Sequence, residues 1–250
     1  MSAVSARSRT RSGRPSASLP RRLFGLLGKG LLAVLAAVLL VQLWYFAHVL
    51  WWIRFDPKST SFMRAELSRL QEKDAGAQLR HQWVPYERIS VNLKRAVIAA
   101  EDANFTEHDG VDWDAIEKAR EVNLKRGKPV RGGSTITMQL AKNLFLSGER
   151  SYLRKGQELA ITVMIEAVMS KRRILEIYLN VAEWGNGVFG CEAAARHYYG
   201  ANCAQLGPAQ AARMASMLPR PRFYDRNRGS AALERRSEMV QRWMWDVTPP

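Results

Sequence analysis

Cysteine is scarce in this 250-residue chain, which contains only Cys191 and Cys203. Two cysteines exclude a disulfide-rich miniprotein, and neither lies in a Cys-x-x-Cys pair of the kind that binds structural zinc. Acidic residues are also few, because 23 of them stand against 38 lysines and arginines, a formal net charge of +15. This excess predicts a polyanionic partner, which could be nucleic acid, an anionic membrane surface or a phosphorylated substrate.

Several catalytic motifs are absent as well. The chain has no Ser-x-x-Lys, so it lacks a penicillin-type acyl-serine site, and it has neither a Walker loop nor His-Glu-x-x-His. One Gly-x-Gly-x-x-Gly spans residues 185–190, but it follows a predicted helix and not the strand that a dinucleotide site requires. We interpret this segment as a glycine-rich corner between two helices.

Charged residues are missing from the 24 residues 30–53. As a helix rising about 1.5 Å per residue, this stretch is long enough to cross a hydrocarbon core of about 30 Å. A cleaved signal peptide would have a shorter apolar region and a small-x-small cleavage site, which this tryptophan-rich stretch lacks. Residues 1–29 carry seven basic groups and no acidic one, so the positive-inside bias keeps them cytoplasmic. We therefore predict a cytoplasmic tail, a transmembrane helix over 30–53 and an exported remainder without a nucleic-acid partner.

The exported part is predicted to be mainly α-helical. Residues 54–83 form a connector with a membrane-proximal helix over 61–73, and residues 84–250 form the domain. Apolar residues recur at helical spacing, and no run alternates as a strand would. The predicted helices of the domain cover residues 93–101, 136–146, 159–169, 174–181, 192–199, 209–218 and 233–245.

Glu101 and Asp102 follow the apolar run of residues 96–100 at the end of a predicted helix. That end is the negative pole of the helix, which disfavours a carboxylate by about 0.3–1 kcal/mol, and apolar neighbours raise its proton affinity further. A carboxylate tuned in this way suits general acid or base catalysis. A solvent-exposed acidic pair that caps the next turn is the alternative, which this segment alone leaves open.

A glycine pair at residues 132–133 precedes hydroxyl residues at the start of the next predicted helix. Free backbone N–H groups at a helix start can bind an anion. Thr135, Gln139 and Lys142 follow at positions i, i+4 and i+7, so a hydroxyl, an amide and an ammonium group share one face. This face could line a groove for phosphate and sugar, or it could be the ordinary solvent-facing side of an amphipathic helix.

Glu158 lies one helical turn after Arg154, with Lys155 and Arg150 nearby in sequence. Such spacing usually marks a surface ion pair worth about 0.3–0.5 kcal/mol. The functional interpretation is a second carboxylate among cations that hold a diphosphate. Together with Glu101, this arrangement suits glycosyl transfer with an anionic leaving group.

Taken together, these segments resemble the peptidoglycan glycosyltransferases (family 51). The chain matches five motifs of that family in order, which are Glu101-Asp-x-x-Phe-x-x-His-x-Gly110, Gly133-Ser-Thr-Ile-Thr-x-Gln-Leu-x-Lys-Asn143, Arg154-Lys-x-x-Glu158, Lys171-x-x-Ile-Leu-Glu-x-Tyr-Leu-Asn180 and Gly187-x-x-Gly-x-x-x-Ala-Ala195. The short chain with an N-terminal anchor is similar to the monofunctional biosynthetic branch of Gram-negative bacteria. Met138 departs from the pattern, because the family usually has a glutamine at this position.

The resemblance implies a lysozyme-like helical fold anchored in the inner membrane, with the catalytic domain in the periplasm. It implies lipid II as acceptor, an undecaprenyl-diphosphate-linked glycan as donor, and division or elongation cell-wall proteins as further partners. Glu101 would be the general base, and Glu158 would order the cations or a divalent ion, magnesium or manganese, that is not obligatory. Three residues would shape the first site, namely Asp102, Phe105 and His108. Those implied to hold sugar and diphosphate are Ser134, Thr135, Gln139, Lys142, Asn143, Arg150, Arg154 and Lys155.

The fourth motif is predicted to be structural, because its apolar residues have the spacing of a helix face in the core. Glu176 and Asn180 are expected to cap or brace the groove. The helix predicted over 192–199 separates Cys191 from Cys203, so we expect two separate thiols, although an oxidising periplasm would permit a disulfide.

Two other functions stay open at this stage. A lytic transglycosylase or muramidase of related fold would cleave glycan with one main glutamate and would not need the cation cluster. A non-catalytic cell-wall scaffold would keep the anchor and the core without needing either glutamate.

Overall fold

The computed structural model describes residues 19–128, 132–149 and 151–250, with side chains from residue 24 onward. Helices dominate this described part of the chain, which confirms the predicted class. They are α1 (Leu19–Trp52), α2 (Ser61–Gln71), α3 (Val91–Glu101), α4 (Trp113–Arg126), α5 (Ile136–Phe145), α6 (Tyr152–Val168), α7 (Lys171–Val181), α8 (Cys191–Tyr199), α9 (Pro208–Met217), α10 (Pro221–Arg226) and α11 (Ala231–Trp243).

The membrane helix predicted from the sequence falls within α1. Residues Phe24–Trp52 of this helix are long and apolar enough to cross a membrane. The chain nevertheless divides into two compact units inside α1, because the second unit comprises Tyr45–Pro250. The predicted boundaries at residues 29, 53 and 83 stay predictions.

The last two turns of α1 pack against the helical domain. Val49 is fully buried, and the rings of Tyr45 and Trp52 lie 5.1 and 5.0 Å from the ring of Phe145 at the end of α5. Arg173 of α7 donates a hydrogen bond of 2.9 Å to the carbonyl of Trp52. This satisfies one of the carbonyl groups that the end of a helix leaves without an intrahelical partner.

Short polar side chains begin the helices that carry the site. Ser90, Thr135, Ser151 and Ser170 precede α3, α5, α6 and α7, and each side-chain oxygen accepts a backbone N–H from the first turn. A cap of this kind stabilises a helix by about 1 kcal/mol. The start of each helix, and with it the direction of its side chains, is therefore encoded locally.

The core joins two groups of helices. Helix α3 packs against α9 and α11, while α5 packs against α6 and α7. Large side chains without exposed surface fill the space, among them Phe105, Tyr178, Trp184 and Phe189. The packing brings the end of α3, one face of α5 and part of α11 together, which forms the site described below.

The glycine-rich segment was interpreted wrongly as a corner between helices. Residues Glu183–Gly185 (β2) and Val188–Phe189 (β3) form an antiparallel hairpin between α7 and α8, and Arg80–His81 (β1) pairs in parallel with β3. Strands of two or three residues are too short to show an alternating pattern. Gly190 ends the hairpin at φ +79°, where a Cβ atom would lie 2.6 Å from the carbonyl oxygen of Asn180.

Two further helices were not predicted. In α4 the described buried set contains only Ala119, so no apolar stripe marks the helix. Helix α10 spans six residues, too few for a periodic pattern. Helix α6 was predicted but begins at Tyr152 instead of residue 159, because its first turns carry polar residues.

The two cysteines are free thiols in the structure, as expected, but helix α8 does not hold them apart. Cys191 is itself the first residue of α8, and the chain turns back after Gly200, which adopts a left-handed conformation at φ +62°. Cys203 therefore returns to the start of α8, and the two Sγ atoms lie 2.6 Å apart.

The packing of α1 predicts where the chain can be shortened. Deleting residues 1–44 leaves Val49 and Trp52 in place, whereas deleting residues 1–53 removes both. Burying one large apolar side chain contributes about 1.5–3 kcal/mol, and at this size 1 kcal/mol changes Tm by about 2–4 °C. We expect the shorter deletion to keep the Tm of the full chain in detergent and the longer one to lower it by about 5 °C or more, as measured by scanning calorimetry. Equal Tm values for the two deletions would contradict this packing.

Candidate active site

Glu101 is the last residue of α3, at the end of an apolar helix, as predicted. Its side chain is only 9% exposed. Gln139 of α5 donates from Nε2 to Oε2 of Glu101 at 2.8 Å, and Arg236 of α11 donates from Nη2 to Oε1 at 3.2 Å. Three helices therefore fix the position of one carboxyl group.

Burial raises the pKa of Glu101 above its usual range, because a carboxylate removed from water is disfavoured in its charged form. The hydrogen bond from Gln139 and the charges of Arg236 and Lys142 oppose this rise, while Asp102 adds to it. A carboxyl with a raised pKa is a stronger base once it is ionised. The environment of Glu101 is therefore suited to accepting a proton.

Tyr178 of α7 orients Gln139. Its hydroxyl donates to Oε1 of Gln139 at 3.0 Å, and burial raises the pKa of Tyr178 well above its usual range, so the hydroxyl keeps its proton. The amide oxygen of Gln139 is thus engaged, and its NH₂ group points to Glu101. The burial of Tyr178 was predicted, but its hydrogen bond to the site was not.

Arg236 is a residue of the site that the sequence does not predict. It lies 135 residues after Glu101 in the chain, and its Nη2 also donates to the carbonyl of Ala100 at 3.3 Å. The pattern of α11 identifies its core-facing residues, such as Leu233 and Val240, but it cannot show which arginine of the polar face meets α3. No local signal marks this residue.

Asp102, Phe105 and His108 brace the site from behind. The carboxylate of Asp102 lies 2.8 Å from Nε2 of His108 and accepts the backbone N–H of Ile136 at 3.0 Å, so it joins the end of α3 to the start of α5. Phe105 has no exposed surface and lies beneath the ammonium group of Lys171. These contacts agree with a shaping role, but they do not support a contact between Phe105 and substrate.

Several N–H groups at the start of α5, where an anion site is predicted, have partners within the protein. Asp102 accepts the N–H of Ile136, and Thr135 accepts those of Met138 and Gln139 at 3.2 and 3.0 Å. These three N–H groups are therefore engaged, and the anion site itself stays a prediction. The hydroxyl of Thr135 is buried and donates to the carbonyl of Gly110 at 2.6 Å, so it stabilises the turn.

Glu158 lies among cations, as predicted. Its buried carboxylate lies 2.5 Å from Nη1 of Arg154 and 2.5 Å from Nζ of Lys155. Lys155 also donates to Oγ of Ser134 at 3.3 Å, and its side chain is 44% exposed. One buried carboxylate thus holds two cations at the edge of the groove.

The charge of Lys142 interacts with both glutamates. Burial lowers the pKa of Lys142, while Glu158 and Glu101 both act to raise it. Its Nζ lies 5.4 Å from the centre of the Phe62 ring on α2, within cation–π range. Asn143 follows on α5 and is half-buried, and Arg150 lies outside the described residues.

A groove of about 720 Å³ opens beside Glu101. Its walls come from the end of α3, the segment before α5, and α11. The lining includes Glu101, Asp102, Asn104, Gly133, Ser134, Thr135, Gln139, Pro219, Arg236, Met239 and Trp243. Ser134 lines this groove and accepts from Lys155, so the contact through Ser134 connects the cation to the groove that holds Glu101.

Met138, which departs from the family pattern, lies outside this groove. Its side chain lines an adjoining cavity of about 570 Å³ with Ile116, Ala119 and Leu124 of α4, and Gly133, Ser134 and Lys155 also line this cavity. An apolar side chain suits these apolar neighbours. The departure therefore leaves the hydrogen bonds of Gln139 unchanged.

The fourth motif is structural, as predicted. Glu176 accepts the backbone N–H of Tyr86 at 3.0 Å, and Asn180 exchanges two hydrogen bonds of 2.9 Å with the backbone of Val84. Both residues brace α7 against the connector.

Comparison with known proteins gives a family match over most of the chain. The model of the family described as Transglycosylase matches residues 67–245. The chain belongs to the transglycosylase family. The match contains all five motifs as well as Arg236, and the family's lysozyme-like helical fold agrees with the helical domain described above.

Several relatives of this transglycosylase are similar over nearly their whole length. A protein of Janthinobacterium sp. (strain Marseille) is 66% identical over 213 residues, which cover 85% of this chain and 92% of the relative. A protein of Thiobacillus denitrificans is 61% identical over 230 residues, 92% of this chain and 99% of the relative. One of Bordetella pertussis is 61% identical over 224 residues, 88% and 93% respectively. All three are named biosynthetic peptidoglycan transglycosylase.

The contact between Arg236 and Glu101 predicts a change in the pH dependence of transglycosylase activity. Removing the guanidinium takes away a charge that lowers the pKa of Glu101. In Arg236→Gln the pKa should rise further, so the acidic limb of the pH–rate profile should move to higher pH by about one unit. The matched control is Arg235→Gln, on the exposed face of the same helix, which should leave the limb in place. An unmoved limb in a folded Arg236→Gln protein would contradict the electrostatic role.

Proposed function

We propose that this chain polymerises lipid II into β-1,4-linked glycan strands, as a peptidoglycan glycosyltransferase of the inner membrane. The family and the names of its relatives support the reaction class. The observation that carries the detailed proposal is the pairing of two features: Glu101, a buried carboxyl with a raised pKa, lines the groove, and the cations held by Glu158 reach it through the contact between Lys155 and Ser134.

Glu101 is the base in this proposal. It takes the proton of the acceptor's GlcNAc 4-hydroxyl while that oxygen attacks C1 of the donor's MurNAc. The bond from C1 to the diphosphate oxygen breaks, and its electron pair leaves with undecaprenyl diphosphate. Attack opposite the leaving group converts the α-linked donor into a β-1,4 bond, which is inversion. Gln139 and Arg236 hold the carboxylate in position during the transfer.

Lys142, Arg154 and Lys155 receive the diphosphate. Negative charge grows on the leaving group in the transition state, and fixed cations in a partly buried site stabilise it more effectively than water does. Glu158 acts as a counter-charge that keeps Arg154 and Lys155 in place in the absence of substrate. Its role is to position them, and it transfers no proton.

The described acidic residues of the site do not fit a resident divalent cation. The two oxygens of Glu158 face Arg154 and Lys155. Asp102, His108 and Asp112 place possible ligand atoms within 4.8 Å of one another, but the carboxylate oxygens of both aspartates are already engaged by N–H donors or by His108. Neither magnesium nor manganese therefore takes part in the proposed reaction, and we expect neither to be obligatory.

The membrane anchor supplies access to the substrate. Donor and acceptor are both lipid-linked, so an enzyme held at the bilayer meets them at a high effective concentration. The apolar helix Phe24–Trp52 supports this arrangement, with the basic N-terminus in the cytoplasm and the domain in the periplasm. Division or elongation cell-wall proteins are the partners that this location makes available.

The assignment of Glu101 as the base predicts the effect of replacing it. Glu101→Gln keeps the size and hydrogen-bonding capacity of the side chain but cannot accept the proton, so turnover of labelled lipid II should fall by about 100-fold or more with binding retained. Glu107→Gln, an exposed carboxyl in the same segment, is the matched control and should polymerise normally. The readout is the formation of undecaprenyl-linked glycan on a gel.

Wild-type rates for a folded Glu101→Gln protein would refute the assignment of the base. If the wild-type enzyme instead released muropeptides from purified sacculi and made no glycan from lipid II, it would be a lytic enzyme.

Replacing Glu158 distinguishes the role of this residue from the role of Glu101. Glu158→Gln should weaken the binding of the donor diphosphate, seen as a higher KM, because Arg154 and Lys155 lose the charge that holds them. The acidic limb of the pH–rate profile should stay in place, since it reports the deprotonation of Glu101. Glu149→Gln, an exposed carboxyl before α6, is the control. Loss of the limb in the residual activity of Glu158→Gln would mean that the roles are shared or reversed.

A further inference from the structure

Cys191 and Cys203 form a buried pair that is not among the residues lining the groove. Neither residue has exposed surface, and their Sγ atoms are 2.6 Å apart. Both are free thiols in the structure, and the two sulfurs are adjacent, near the distance of about 2.05 Å that an S–S bond requires. A small displacement of either side chain would bring the sulfurs to bonding distance.

The backbone around the pair is held in the same position by other contacts. The buried carboxylate of Glu192 accepts the N–H of Cys203 at 2.8 Å, so the residue next to Cys191 fixes the residue that carries the second sulfur. Arg196 in turn donates to the other oxygen of Glu192 at 2.9 Å. The approach of the sulfurs therefore does not depend on the cysteine side chains alone.

We infer that Cys191 and Cys203 are joined by a disulfide bond in the mature protein. The inference rests on the proposed function in one respect, which is that the domain is exported to a compartment where disulfides persist. The bond would connect the start of α8 to the turn Cys203–Gln205, twelve residues later in the chain.

The oxidation requires a disulfide-bearing oxidant, such as a thiol–disulfide oxidase of the exported compartment. One cysteine thiolate attacks a sulfur of the oxidant's disulfide, which forms a mixed disulfide and releases one thiol of the oxidant. The second cysteine thiolate then displaces the other oxidant sulfur. Two protons are released from the cysteines, two electrons pass to the oxidant, and its disulfide becomes a dithiol.

The timing of this step follows from burial. In the folded domain both sulfurs are inaccessible, and burial raises the pKa of Cys191, which disfavours the reactive thiolate. The bond must therefore form during folding, before α8 packs. Once formed, it is protected from reductants by the same burial.

The bond would support the helix that carries Glu101. The carbonyl of Cys203 accepts the N–H of Ser90, and the carbonyl of Leu206 accepts from the side chains of Ser90 and Asn92. Ser90 caps the start of α3, which ends at Glu101. A covalent link at Cys203 thus fixes the segment on which the N-terminus of α3 rests.

The decisive experiment counts thiols in the full chain. Membranes from cells that export the protein are denatured in N-ethylmaleimide, and the cysteine peptides are examined by mass spectrometry. We expect no alkylation before reduction and alkylation of both cysteines after reduction with dithiothreitol. Cys203→Ala is the control, because its single Cys191 should be alkylated without reduction. Alkylation of both cysteines in the unreduced wild-type chain would overturn the inference.

A second measurement asks what the bond does. The protein is reduced in denaturant and refolded in the presence of a reductant, which keeps both thiols free. Its Tm should be about 5–10 °C lower than that of the oxidised protein. An unchanged Tm would overturn the stabilising role. The lipid II assay separates this inference from the proposed function, because an active enzyme with free thiols refutes only the disulfide, and an oxidised but inactive one refutes only the transferase.

Discussion

The site depends on one constraint, which is the burial of a carboxyl group at the end of an apolar helix. Glu101 would be an ordinary surface acid if α3 ended in solvent. Because α5 and α11 close over the end of α3, its carboxyl loses water and receives hydrogen bonds from one amide and one guanidinium. Much of the nearby structure serves this arrangement, from Tyr178 behind Gln139 to Asp102, which joins α3 to α5.

The second glutamate shows how the same residue type takes a different role in a different environment. Glu158 is also buried, but its two oxygens face Arg154 and Lys155 directly. Because both of its oxygens are engaged by these cations, Glu158 can keep them in place for an incoming diphosphate. Proton transfer and charge stabilisation are therefore assigned to separate carboxylates.

The sequence predicted the parts of this site that local spacing encodes. Glu101 at a helix end, Gln139 and Lys142 on one face of α5, and the pairing of Arg154 with Glu158 all follow from helical periodicity. Contacts between distant segments have no such signal. Arg236 reaches Glu101 across 135 residues, and the N–H of Ile136 at the start of α5 has a partner only once Asp102 is placed against it. The hairpin of β2 and β3 was not predicted for another reason, because strands of two or three residues are too short to show an alternating pattern.

The most direct test of this account is the protonation of Glu101 itself. Infrared difference spectra between the wild-type enzyme and Glu101→Gln, recorded as a function of pH, isolate the C=O stretch of this carboxyl in its protonated form. An exposed glutamate loses this band around its usual midpoint, a pH of about 4.3. The account predicts that the band of Glu101 persists above that pH and disappears only as the pH rises through the raised pKa. A band that is already lost at or below that ordinary midpoint would contradict the claim that burial makes Glu101 the base.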